Sequence, residues 1–552
     1  MDWAPSSIIR WLFDSESGLR DRLIPRWIFL RALGLIYFSA FYSLVFQVRG
    51  LIGAEGILPS NEFLAAVAHQ FGPGRFWFAP TLLWISTGPH MLTATCWVGM
   101  IASLLLVFNV WPRGMLLACF VCFLSFVSAA QDFSGYQSDG MLLEAGFISL
   151  FFAPAGFWPG LGRMSPPSRA SLFLLQWEWF RIYFASGVVK LASGDPEWRN
   201  FTAMDEYYQN GPLPTWIGWY VQHLPHSFHA FAAGATLVLE LGLVFMLFLP
   251  RRWRIVCFFI VTAWQVPVIL TANYTFLNYL VLLLGVLLLD DRFLLRVMPQ
   301  RWKRFISPGR DAPLPQPTQR PEGMAATDEQ ITEAPAPATS SRRSPHPFRA
   351  LKLALTSVML IWIFYATTVQ MIWIMFPRLP LPTSPVAALD PFRIANRYGL
   401  FAVMTRGRYE IEFQGSNDGQ TWVAYPFGYK PQDPGKPPGI YAPYQPRFEW
   451  NLWFASLGSW RNNLIVPSTE ERLLNSAPDV LALFARNPFP DAPPKQVRAV
   501  LWKYWFTTLA EKRATGMWWN RQLMGLYAPV LERLPDGKAG VVQLPEPLPP
   551  HD

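Results

Sequence analysis

The chain has 552 residues, 52% hydrophobic and 16% aromatic, with only 15% charged and a mean hydropathy of +0.20. That balance excludes an ordinary soluble protein, while 51 Pro and 37 Gly require sizeable non-helical portions. The net charge of +9 is accounted for by basic loops at the ends of apolar runs, so no nucleic-acid partner is needed.

A membrane-crossing helix needs ~20 mostly apolar residues. About nine runs qualify, near 27–49, 91–110, 114–130, 137–157, 170–192, 228–249, 253–271, 273–289 and 350–376. The stretch 63–85 is broken by Pro73, Gly74 and Arg75 and reads as interfacial or re-entrant. Residues 1–26 are expected on the cytoplasmic side, with no cleavable signal pattern and the first run as anchor. Arg10, Arg20, Arg22 and Arg26 precede run one, and Arg113 lies between runs two and three. Arg163 and Arg169 precede run five, Arg251, Arg252 and Arg254 follow run six, and Arg292, Arg296, Arg301, Lys303 and Arg304 follow run eight. Every second connection is therefore basic, which places those connections inside and the tail after the ninth run outside.

Residues 27–290 thus form a helical membrane domain of about eight spans. Residues 307–347 hold no Phe, Trp or Tyr and are rich in Pro, Ala, Ser and Thr, the composition of a disordered cytoplasmic linker. The last span at 350–376 leads to an exoplasmic domain over 385–552, small and α+β in class. Its hairpin is signalled by alternation at Tyr409–Phe413 and Thr421–Tyr425 around the turn Ser416-Asn417-Asp418-Gly419, and it suggests a sandwich-like sheet. Glu470–Ala485 and Val497–Lys512 read as helices.

Charges inside apolar runs cost at least ~2.5–3.5 kcal/mol each by insertion scales, so they persist where they pair or line a polar cavity. The segment WEWFRIYFASGVVKLASGDPEW (177–198) carries Glu178, Arg181 and Lys190. Asp139 and Glu144 interrupt SDGMLLEAG, Arg31 lies in run one and Glu240 in run six. These residues either fix the bundle as interhelical ion pairs or converge with Lys190 on a cavity. Lys190 alone can be a snorkelling side chain at a helix end or a desolvated base. His223, His226 and His229 recur every third residue, but without nearby carboxylate or thiolate ligands they read as a solvated cluster and no metal is expected. Cys96, Cys119, Cys122 and Cys257 all lie in apolar runs, where small-residue packing explains them. No GxSxG, GxxxxGK[ST], HExxH or GxGxxG motif occurs, and no cofactor is expected.

Five strings carry a family resemblance. They are RALGLIYFSAFYSLVFQVRGLIGAEGILP (31–59), SDGMLLEAGFISLFFAP (138–154), RIYFASGVVKLASGDPEWRNFTAMDEYYQNGPLPTWIGWY (181–220), NRYGLFAVMTRGRYEIEFQGSNDGQTW (396–422) and YKPQDPGKPPGIYAPYQPRFEWNLWFASL (429–457). Together they resemble the lipase maturation factor family, collinearly from about 23 to 530. The resemblance implies a non-catalytic, membrane-bound maturation or chaperone factor for an exported client such as a lipase, in contact with membrane lipids. Family members known best are endoplasmic-reticulum proteins. This chain ends in LPPHD without a KDEL-type signal, and its compact loops suggest a bacterial inner membrane instead. FASGVVKLASGDPEW is also similar to a segment of vitamin K-dependent gamma-glutamyl carboxylase and its transmembrane relatives. That likeness implies an alternative, an enzyme using Lys190 as base on a lipid or quinone-like substrate, with Glu178, Arg181, Asp139 and Glu144 as supporting charges.

Overall fold

The structure, a computed structural model, describes residues 5–301, 303, 347–535 and 537–548. The expected linker at 307–347 lies outside them apart from Pro347. Each of the nine apolar runs folds as a helix: α1 Leu23–Val45, α2 Pro89–Val107, α3 Pro112–Val127, α4 Gln137–Phe152 and α5 Arg169–Ala192, followed by α6 His226–Leu241, α7 Arg251–Thr271, α8 Leu277–Val286 and α9 Pro347–Met375. Among the described residues, five of these are long and apolar enough to cross a membrane: α1, α2, α6 with its 3-10 extension to Phe248, α7 and α9. By length and composition alone, then, five of the nine runs qualify. α3, α4 and α8 are short, at 16, 16 and 10 residues, and α5 is long but carries Arg169, Glu178, Arg181 and Lys190.

Local chemistry sets the helix ends. Pro89 and Pro112 occupy first-turn positions, where a missing N–H costs nothing. The Ser168 hydroxyl caps α5 by accepting from the Ser171 N–H at 3.2 Å. Close helix approach rests on small residues: a Cβ on Gly99 of α2 would lie 2.3 Å from the Phe41 ring of α1. The segment expected to be broken at Pro73 is split there into helices Ser60–Phe71 and Arg75–Phe78.

The tail forms one antiparallel sheet, not a sandwich. β1 Arg408–Ser416, β2 Val423–Ala424, β3 Gln496–Phe506, β5 Val530–Arg533 and β6 Ala539–Gln543 lie in the order β2-β1-β3-β5-β6, and β4 Trp519–Leu526 also pairs β3. The β1–β2 hairpin forms with Gln414 opposite Ala424. In its turn Gly419 takes φ +73°, and the Asp418 carboxylate accepts from the N–H groups of Gln420 and Thr421 at 2.8 and 2.7 Å. Those donors hold its carboxyl well below the usual range. Val497–Lys512, expected as a helix, is instead β3 followed by a short helix, Leu509–Thr515. Val497, Ala499 and Leu501 alternate into the core beside Ile411 and Phe413, covered by α10 Arg447–Ser456 and α11 Ile465–Leu474. The opposite face carries Arg408, Glu410 and Glu412, with Lys430 and Gln432 of the Pro-rich loop over them.

Candidate functional site

The intramembrane charges form three separate groups. The first is a knot between α4 and the tail, in which Asp139 accepts both arms of Arg447, at 2.7 and 2.8 Å. Arg447 also donates to the Phe133 carbonyl at 2.8 Å and lies over the Phe126 ring at 4.9 Å. Both partners are fully buried. Gln47, two residues beyond the end of α1, completes the knot, accepting from the Arg447 N–H at 2.8 Å and donating to the Gln445 carbonyl at 2.9 Å. A planar guanidinium suits such a two-point contact, and an ammonium could not replace it.

The second group joins α4 and α5 to the strap entering the sheet. Arg181 pairs with Glu144 and donates to the Asn396 carbonyl at 2.8 Å. Glu144 also accepts from the Asn396 N–H at 3.0 Å and from the Tyr398 hydroxyl at 2.8 Å. Glu178 faces the same Tyr398 hydroxyl at 3.4 Å, and its second oxygen has no hydrogen-bond partner among the described residues. Glu178 and Arg181 therefore do share one locality, as their spacing suggests, but Arg181 is engaged by the neighbouring helix.

The third group contains Lys190, which is neither snorkelling nor free. Its ammonium donates to both Glu240 oxygens, at 2.8 and 3.0 Å, and to the Leu400 carbonyl at 3.1 Å, with the Trp198 ring 5.0 Å away. All three N–H donors are thus engaged. The pair lines an interhelical cavity of about 290 Å³ together with Tyr183, Ser186, Gln265 and Asn278. Asp139, Glu144, Glu178 and Arg181 do not line it; of the two arrangements the sequence allows, these charges lie in separate paired groups rather than around one cavity with Lys190. Helices that must each bury a charge find the nearest opposite one, and here these lie in three places.

Arg31 finds no carboxylate among the described residues. It lies over Trp27 at 5.1 Å and donates to that residue's carbonyl at 3.2 Å. The histidines are not a cluster, since their side chains turn to different surroundings. His223 Nε2 meets the Thr507 carbonyl at 2.9 Å, His226 pairs with Asp205 at 3.0 Å, and His229 is buried against Tyr208. The four cysteines are free and buried. No group of three metal-ligating residues occurs among the described residues.

Residues 394–408 emerge as the strap that binds bundle to sheet, which sequence reasoning did not anticipate. Beyond the Asn396 and Tyr398 contacts, the Leu400 N–H donates to Ser186 at 3.1 Å, the Trp198 indole to the Phe401 carbonyl at 2.9 Å, and the Met404 N–H to Asp195 at 2.7 Å. Buried Arg408 pairs with Glu410 and reaches the Gln209 and Pro212 carbonyls, both at 3.0 Å. Of the charges that interrupt the apolar runs, four are carboxylates, Asp139, Glu144, Glu178 and Glu240, and three are cations, Arg31, Arg181 and Lys190, and that imbalance was a usable signal that a cation from elsewhere must reach one of them.

Glu449 of α10 sits in a nest of three N–H donors, from Gly428, Tyr429 and Lys430 at 2.9, 2.9 and 2.6 Å. Burial outweighs them and pushes its carboxyl up to about 7 from 4.5. Buried Glu470 is moved in the same direction. A raised folded-state value means stability that is whole below about 4.5 and declines as pH rises through about 7. For Glu449 the loss is about 3 kcal/mol by linkage. Thermal unfolding midpoints between pH 4.5 and 8 are expected to fall in the wild type and to fall less in Glu449→Gln. Equal slopes would remove Glu449 as the cause.

A helical bundle strapped through buried ion pairs to an antiparallel sheet domain defines the class, an integral membrane protein with a folded tail. Residues 24–296 match the family model described as lipase maturation factor transmembrane domain, and residues 394–529 match lipase maturation factor C-terminal domain. The chain belongs to the lipase maturation factor family. It is 31% identical over 526 residues to lipase maturation factor 1 of Bos taurus, covering 92% of this chain and 89% of that one. It is 30% identical to lipase maturation factor 2 of Gallus gallus and of Homo sapiens, covering 92% of this chain and 81% and 82% of theirs. No solved structure matches.

Proposed function

We propose that this chain is a membrane-bound maturation factor for exported proteins, with a lipase as its client. The observation that carries the reading is the 31% identity to a lipase maturation factor over 92% of the chain. All nine helices cross the membrane in this reading, four of them tolerated as short or charged because the others surround them. The N-terminus is cytoplasmic and the sheet exoplasmic, in agreement with the basic connections at the opposite end. The compartment is a bacterial inner membrane, or the endoplasmic reticulum in a eukaryotic host.

Asp139, Glu144, Glu178, Arg181 and Lys190 serve in this reading to lock the bundle to the tail. Client contact falls to the outer edge of the sheet, where Val541 and Val542 on β6 and Leu544 just beyond it stand exposed. Apolar patches kept in water mark interaction surfaces. The test is the yield of active lipase exported by cells with and without the chain. Val541→Asp combined with Val542→Asp is expected to cut that yield several-fold at unchanged abundance of the chain. An unchanged yield would exclude this surface, and equal yields with and without the chain would end the maturation reading.

A further inference from the structure

A wide cleft lies at the end of the bundle away from the sheet, and the proposed function makes no use of it. It has a volume of about 880 Å³ and opens between the first half of α9, Leu150 and Phe151 of α4, and the segment Phe13–Glu16. Its walls are apolar, and the outer face of α9 beside it leaves Phe348, Leu351, Leu355 and Val358 more than half exposed. The size falls within the ~300–1,000 Å³ of sites that enclose a small ligand. Three cations border it, Arg113, Arg349 and Lys352. Arg349 is neutralised by Asp14 at 2.9 Å and by Glu16. Arg113 is held by one bond, from Nε to the Ala153 carbonyl at 2.9 Å, and Lys352 has no ion-pair partner among the described residues. With Asp14 and Glu16 both on Arg349, the lining keeps a net charge of one positive, and Arg113 and Lys352 face the cleft with no carboxylate partner among the described residues, at the end where Arg22, Arg26, Arg169 and Arg251 also gather.

We propose that this cleft holds one anionic phospholipid, its phosphate between Lys352 and Arg113 and an acyl chain along α9. Charge complementarity selects the headgroup, because a zwitterionic lipid would bring a cation of its own to a site that already holds Arg113 and Lys352. The apolar walls select a lipid over a free anion. Basic pockets between helices on the cytoplasmic side are recognised settings for anionic headgroups.

The test uses the full chain purified in mild detergent, mixed separately with phosphatidylglycerol, phosphatidylcholine and inorganic phosphate, with bound ligand counted by native mass spectrometry. One phosphatidylglycerol per chain is expected to survive conditions that strip phosphatidylcholine, and phosphate alone is expected not to bind. Lys352→Glu removes the charge and Leu355→Trp fills the cleft, and each is expected to lower phosphatidylglycerol retention about tenfold. Equal retention of both lipids, retention of neither, binding of phosphate alone, or retention unchanged in both variants would overturn the proposal. The wild-type comparison alone can do so, whatever the variants' fold, and none of these readouts depends on lipase maturation.

Discussion

Asp139→Asn is expected to destabilise the chain by ~3–5 kcal/mol, the cost of leaving a buried arginine without its carboxylate. Arg447 is fully buried and donates two hydrogen bonds to Asp139, so the remaining partners, a carbonyl and aromatic faces, cannot offset its charge. The measurement is the amount of membrane-inserted protein and its unfolding midpoint in detergent. The double variant Asp139→Leu with Arg447→Met removes both charges at similar volume and is expected to regain most of the loss, since isosteric apolar replacement of a buried pair is often neutral. A double variant no better than Asp139→Asn would mean the knot contributes through shape and the Gln47 contacts rather than through charge. The same geometry complicates truncation, because deleting residues 385–552 strips Asp139 of Arg447 and Glu144 of Asn396 and Tyr398.

The second large effect concerns Lys190. Lys190→Ala leaves Glu240 without a cation in a mostly apolar cavity, and abundance is expected to fall steeply, by a free energy again of ~3–5 kcal/mol. Lys190→Met with Glu240→Gln restores neutrality and is expected to recover both abundance and lipase maturation. A base acting on a substrate could not be replaced in this way. Recovered abundance with maturation still absent would therefore return Lys190 to a chemical role, measured as active lipase per unit of membrane-inserted protein.

Much of the bundle is legible in the sequence because apolar length is a direct physical requirement of a helix in lipid, and all nine runs fold as helices. The charges that matter are legible for the same reason, since each is anomalous where it stands. Their partners are not. Arg447 lies in YAPYQPRFEWNLWF, where aromatic neighbours suggest a membrane belt, and only tertiary structure turns it toward Asp139, 308 residues earlier. The misreading of β3 has a specific cause. Val497, Val500, Leu501 and Tyr504 fall at i, i+3, i+4 and i+7, an amphipathic helix pattern, while the strand buries both faces and so carries apolar residues at both periods. The separation of Lys190 from Glu144 and Asp139 was equally hidden, because helix periodicity gives a residue's side but not which neighbour occupies it.

The strap and the knot also dictate an order of biogenesis. α4 leaves the ribosome with Asp139 uncompensated, and its arginine follows 308 residues later, roughly 15–60 s at ~5–20 residues per second of synthesis. During that interval the helix must wait in an environment that tolerates a lone carboxylate, such as the insertion machinery or a hydrated groove. The bundle can close only after the sheet has been synthesised and folded against it, so the earliest helices of this protein wait on its last domain.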